Sequence, residues 1–181
     1  MAQRAKPSAL MSVAYVLQTL AEVRRPDDIV VEEAPSARPI MQAHLPMTRS
    51  EMDSGGLGCG MPAAVGVALG KPGKRVICLV GDGSSMYSIQ ALWSASQLKL
   101  PITFVILNNR RYAALQDFAP VFGFSTTEVV QGTELPDIDF LSLAKGMGCA
   151  ARRVSDAAEL LEALARALDS DSSNVVEVEV A

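Results

Sequence analysis

Residues 80–112 read VGDGSSMYSIQALWSASQLKLPITFVILNNRRY, and the fold is decided here. The apolar run VICLV (76–80) leads into Gly81-Asp82-Gly83, and a second run, ITFVIL (102–107), leads into Asn108-Asn109. Runs that are apolar throughout are the mark of parallel strands covered by helices on both faces. Between them, Ser84 to Leu98 reads as a helix. The stretch is therefore a strand-helix-strand unit with polar groups at both strand ends.

Working outward, Ser8 can cap a helix with apolar positions Leu10, Val13, Val16, Leu17 and Leu20, after which RRPDD (24–28) breaks it and Ile29 to Glu33 reads as a strand. Residues 36–56 read as a mixed connection, and LGCGMPAAVGVALG (57–70) as a small-residue helix ended by Gly70 and Pro72. Arg75 to Val80 is the short buried strand already met. Beyond Asn109 the pattern predicts a short helix from about Arg111, a loop through Pro136, a helix from Asp139 to Met147 and a strand from Cys149 to Val154. A helix from Ser155 to Leu168 and a strand from Val175 to Val180 complete it. Strands alternating with helices predict an α/β fold, a doubly wound parallel sheet with helices on both faces, in a single domain over 1–181.

Composition narrows the function. Of 181 residues, 49% are hydrophobic and 20% charged, enough for a sizeable core. The net charge of −4 comes without a basic face interleaved with aromatics, which argues against nucleic acid as a partner. Cys59, Cys78 and Cys149 are odd in number and far apart, so neither a disulfide framework nor a CxxC site is suggested, and a reducing cytoplasm is the expected location. No apolar run reaches the ~18 residues needed to span a bilayer, so no membrane association is expected. His44 is the single histidine, and with no cysteine or carboxylate at ligand spacing it reads as a structural or surface residue.

In open α/β sheets ligands bind outside the carboxyl ends of the strands, where Gly81-Asp82-Gly83 and Asn108-Asn109 both lie. Gly81 and Gly83 allow close backbone approach, and a helix starting at Ser84 presents free N–H groups to an anion such as a phosphate. Asp82 and Asn109 offer hard oxygen ligands suited to Mg²⁺. Either motif alone is a common turn or cap. Together, on consecutive parallel strands, they point to a metal-bridged diphosphate. GVALGKP has the wrong spacing for a P-loop, and GGLGCG does not match GxGxxG.

GDG followed after about 25 residues by NN resembles the cofactor motif of the thiamine diphosphate-dependent enzymes. GGLGCGMPAAVGVAL, GDGSSMYSIQALWSASQ, PITFVILNNRRYAALQDFA and DIDFLSLAKGMG extend the likeness over nearly the whole chain. Within that family the chain is most similar to the C-terminal, diphosphate-binding domain of the benzoylformate decarboxylases. The resemblance implies that Asp82 and Asn109 ligate Mg²⁺ through side chains and Arg111 through its carbonyl. It implies that Gly81, Gly83, Ser84, Tyr112 and Ser36 lie against the cofactor, with Leu57 the apolar wedge beneath it and the Gly55 carbonyl accepting from its aminopyrimidine. Ala114, Leu115 and Phe118 match positions lining the substrate pocket, and an aromatic 2-oxo acid is the implied substrate, with core packing as the alternative for these residues and for Leu57.

Carboligation, or a non-catalytic role in oligomerisation or regulation, are the alternatives for the chain. The family's activating glutamate belongs to an N-terminal pyrimidine-binding domain of the neighbouring subunit, and no residue here matches it. The expectation is a fragment of a longer enzyme or a separately encoded subunit, inactive alone, forming a homo-oligomer or pairing with a chain that carries the glutamate. The family often has glycine where Arg110 and Ala113 stand, so a positive φ at Ala113 would require the loop to adjust.

Overall fold

The computed structural model describes residues 5–7, 10–46, 56–125 and 130–181. Five strands form one parallel sheet in the order β1-β2-β3-β5-β4: β1 Ile29–Glu33, β2 Val76–Gly81, β3 Ile102–Asn108, β4 Ala150–Val154 and β5 Asn174–Glu179. The doubly wound α/β fold is the one the apolar strand runs predict, and each of these strands starts within one residue of its expected position. β3 is buried along its whole length.

Helices cover both faces. On one, α1 (Val13–Val23), α2 (Arg38–His44) and α8 (Ala157–Leu168) pack over Val30, Ile77, Leu79, Val105 and Val178. On the other, α3 (Gly60–Gly70), α5 (Ala91–Gln97) and α7 (Phe140–Gly146) pack over Val31, Cys78, Val80, Phe104 and Ile106. From β1 to β3 the chain advances across the sheet; it then crosses β5 to form the edge strand β4 and returns through α8 on the opposite face.

Four expectations are corrected. The first helix starts at Val13 with Ser12 as its cap, its hydroxyl accepting the Tyr15 N–H at 3.2 Å, and Leu10 lies outside it, half exposed; Ser8 lies outside the described residues. The connection after β1 contains α2, opened by Pro39 in its first turn. The helix expected from Ser84 to Leu98 is two helices, α4 (Asp82–Ser85) and α5, joined by three-residue turns in which Tyr87 and Ser88 donate to Ser84 and Ser85. Ser85 Oγ donates to the Asp82 carbonyl at 2.7 Å, taking the acceptor a continuing α-helix would use. The helix after Asn109 starts at Ala113 (α6, Ala113–Phe118) and runs into a 3₁₀ turn, Ala119–Phe122.

Candidate functional site

The parallel register sets Gly81 beside Leu107, so β2 and β3 end side by side and deliver Asp82 and Asn109 to one edge of the sheet. Asp82 is only 4% exposed. Its Oδ1 accepts the Gly83 N–H at 2.8 Å, while Oδ2 is buried with no hydrogen-bond partner. Burial pushes the carboxyl above its ordinary range, opposed by backbone N–H groups of Gly83, Arg110, Arg111 and Asn109. The turn after β3 is thus packed against Asp82. A buried carboxylate oxygen without a partner is costly, and a proton, a water molecule or a divalent cation can each satisfy it.

That turn is built by short-range asparagine bonds. Asn108 Oδ1 accepts the Arg110 N–H at 3.0 Å and Asn109 Oδ1 the Arg111 N–H at 3.2 Å. Arg110 holds a φ of 58°, the left-handed conformation, so the positive φ falls at Arg110 and not at Ala113, which opens α6. The Arg110 guanidinium pairs with Glu179 at 2.9 Å, tying the strained residue to β5. Residues 133–135 hold the turn from outside: the Tyr112 N–H donates to the Thr133 carbonyl at 2.7 Å and the Leu135 N–H to the Arg110 carbonyl at 2.8 Å.

Gly83 is required by proximity. A Cβ there would lie 2.5 Å from the Tyr112 ring, so the two expected cofactor-side residues touch through a gap only glycine leaves. Gly81 caps α4, and Ser84 lies within it, buried. At four residues α4 is too short for its dipole to carry an anion site, contrary to the expected helix from Ser84. Ser36 is exposed in the turn after β1, on the same edge. Leu57, 45% exposed in the bend before α3, is no core residue. Leu115 and Phe118 are 57% and 61% exposed, and α6, which also carries Ala114, buries no residue fully. Leu57, Leu115 and Phe118 do not pack into the core formed by the described residues. Gly55 lies outside the described residues.

Two buried acidic residues at this edge escape a reading of the motifs. Glu33, at the end of β1, accepts the Gly58 N–H at 2.6 Å and the Gly60 N–H, and so caps α3, which lacks a side-chain cap of its own. Glu177 on β5 accepts from the side chains of Asn108 and Arg153. The available signal was a carboxylate in a strand that should be apolar, in IVVEE and VVEVEV. His44 is structural, its Nδ1 2.9 Å from Gln18 Nε2. All three cysteines are free thiols, and burial, with Glu33 nearby, pushes that of Cys78 far up, beyond use as a nucleophile. Among the described residues no helix is long and apolar enough to cross a membrane, and no group of three or more His, Cys, Asp or Glu could hold a metal ion. A cation at Asp82 would therefore draw on Asn109 and on backbone or ligand oxygens.

Comparison with known proteins agrees with this geometry. Residues 39–178 match the model of the thiamine pyrophosphate enzyme family's C-terminal TPP binding domain. The chain is 43% identical over 125 residues to benzoylformate decarboxylase of Pseudomonas aeruginosa, covering 69% of this chain and 23% of that protein. It is 30% identical over 180 residues to the acetolactate synthase isozyme 2 large subunit of Escherichia coli, covering 96% of this chain and 32% of that protein. Among solved structures, the thiamine diphosphate-dependent 4-hydroxybenzoylformate decarboxylase of Rhodococcus jostii RHA1 superposes with a TM-score of 0.88 at 35% identity, over 99% of this chain and 34% of the other. The chain spans about a third or less of the length of these relatives. Strand ends, buried aspartate and matched sequence together place it in the thiamine pyrophosphate enzyme family, as the C-terminal TPP binding domain.

Proposed function

We propose that this chain is the diphosphate- and Mg²⁺-binding domain or subunit of a 2-oxo acid decarboxylase of the benzoylformate type. The observation that carries the proposal is the buried, unpartnered Oδ2 of Asp82, on a carboxyl against which the Asn109–Arg111 turn packs. Asp82, the Asn109 side chain and the Arg111 carbonyl would hold the cation. Gly83, Ser84 and Tyr112, with Gly81 and Ser36, would hold the diphosphate, and Leu57 would support the cofactor. When bound, thiamine diphosphate supplies the electron sink for decarboxylation. The chain's own residues bind and orient it; no residue here is assigned a proton transfer. The activating glutamate belongs to a pyrimidine-binding domain outside residues 1–181, so the chain alone should not turn over substrate.

Calorimetry with and without EDTA tests the metal bridge. Thiamine diphosphate should bind only with Mg²⁺ or a similar divalent ion, and Asp82→Ala should weaken binding by roughly 2–3 kcal/mol, as expected for a charged contact. Equal binding in EDTA would overturn the assignment.

The exposed Leu115 and Phe118 on α6 support an aryl substrate, since a phenyl ring buried against them gains apolar contact that a methyl group cannot, roughly 25 cal/mol per Å². In the assembled enzyme, Phe118→Ala should lower kcat/KM for benzoylformate more than for pyruvate. An equal fall for both would leave the aryl preference unsupported. Carboligation is the second reading, favoured by the 96% coverage of this chain by an acetolactate synthase subunit. Product analysis with pyruvate in the assembled enzyme separates the two.

A further inference from the structure

At the carboxyl ends of β3 and β5 a cleft of about 740 Å³ opens, and deep in its wall lies Glu177. It faces the α3, α5, α7 side of the sheet, between Val176 and Val178, which point into the opposite core, and it is 0% exposed. A carboxylate so buried must be fully paired. Its Oε2 accepts from Arg153 Nε at 2.9 Å, and its Oε1 accepts from Asn108 Nδ2 at 2.7 Å across 69 residues of sequence.

The second bond has a directional consequence. An ionised carboxylate only accepts, so it fixes which end of the Asn108 amide faces it: Nδ2 toward Glu177, Oδ1 toward the turn. Oδ1 in that orientation accepts the Arg110 N–H at 3.0 Å. The reversed amide would set an NH₂ group against that N–H, two donors face to face. Arg110 is the residue held at a φ of 58°, and its backbone lies between the two expected cation ligands.

From this geometry we infer that Glu177 is a positioning residue for the cation-binding turn, acting through Asn108 to set the backbone of Asn109–Arg111. The inference rests on the functional reading above in taking that turn as a ligand set. Glu179, two residues along the same strand face, holds the Arg110 side chain, so β5 grips the turn at backbone and side chain alike.

The test uses Glu177→Leu, Glu177→Gln and Asn108→Ala in the full chain, with two readouts. The first, needing no cation, is amide hydrogen exchange by NMR. Arg110 should be protected in the wild type and in Glu177→Gln, whose side-chain carbonyl still accepts from Asn108 while Arg153, its side chain 41% exposed, turns its guanidinium to solvent, and unprotected in Glu177→Leu and Asn108→Ala. The second is Mn²⁺ binding in the presence of thiamine diphosphate, followed by electron paramagnetic resonance. Kd should rise about 10-fold or more in Glu177→Leu and Asn108→Ala, the range seen for residues that orient metal ligands, and recover to within about 3-fold of wild type in Glu177→Gln.

A merely structural carboxylate would lower the melting temperature without this selective loss and without rescue by glutamine. If Glu177→Leu does not fold, the contrast between Asn108→Ala and Glu177→Gln decides. Undiminished Arg110 protection in Asn108→Ala, or lost protection with unchanged Mn²⁺ affinity, would overturn the inference. A wild-type chain that takes up no Mn²⁺ with thiamine diphosphate would instead overturn the functional reading, while the Arg110 exchange judges the relay by itself.

Discussion

Asp82 shows how a single residue can be placed against its own comfort. Burial holds its carboxyl above the ordinary value of 3.8, so the folded chain binds that proton more tightly than the unfolded chain does. In the cation-free protein this group's contribution to stability is therefore greatest below pH 3.8 and is lost as pH rises through the raised value. Asp82→Asn removes the ionisation, so wild type should lose stability relative to the variant between acid and neutral pH when both are unfolded in urea without Mg²⁺. A constant difference across that range would show that Asp82 is not burdened by its burial. Asp82 and Asn109 stood out in the sequence because they end consecutive apolar strands together, whereas either alone would pass for a common turn or cap. Glu33 and Glu177 were not, because their partners, the Gly58 and Gly60 amides and the Asn108 side chain, become neighbours only when β1, β3 and β5 align. Arg110 and Ala113 were both marked as places where the family often has glycine, and which of them takes the left-handed conformation was not legible, because Glu179, which holds the Arg110 side chain, is distant in sequence.

Among the elements, α3 is the clearest case of a helix whose start is held from elsewhere. Its N-cap position is Cys59, which makes no side-chain cap bond, and the Glu33 carboxylate takes the Gly58 and Gly60 N–H groups in its place. Glu33→Ala would leave two donors unmet in a buried setting, and the expected cost is about 2–3 kcal/mol. Glu33→Gln, keeping one acceptor, should cost less, and faster exchange of the Gly58 and Gly60 amides should accompany both changes. Urea denaturation showing no loss in Glu33→Ala would mean that water caps the helix equally well. The strands were legible to within a residue at their starts because an all-apolar run admits few other interpretations. The helices were less so. Nothing in the periodicity separates α4 from α5, since the break comes from a serine hydroxyl taking a backbone carbonyl, and α2 hides in a seven-residue stretch with little amphipathic pattern.

At the scale of the molecule, the described residues from α6 to Phe124 leave a large apolar surface exposed. Leu115 and Phe118 on α6, Val121 and Phe122 in the 3₁₀ turn, and Phe124 just beyond are between 45% and 77% exposed. Large exposed apolar groups so close in sequence mark a surface that meets a partner. Sedimentation at micromolar concentration should show dimers or larger species, and Phe122→Glu should shift them toward monomer; a monomeric wild type would count against self-association through this face. The order of the strands carries a further consequence, for synthesis. β5 is the last strand in the sequence yet sits between β3 and β4, and it contributes Glu177 and Glu179 to the turn after β3. A nascent chain can assemble β1, β2 and β3 as it emerges, but β3 keeps an unpaired edge until β5 has left the ribosome. Such long-range pairing is slow to form. The turn expected to grip the cation is thus the last part of the site to mature, and slow translation between β3 and β5 prolongs the interval in which that open edge can pair with the wrong strand.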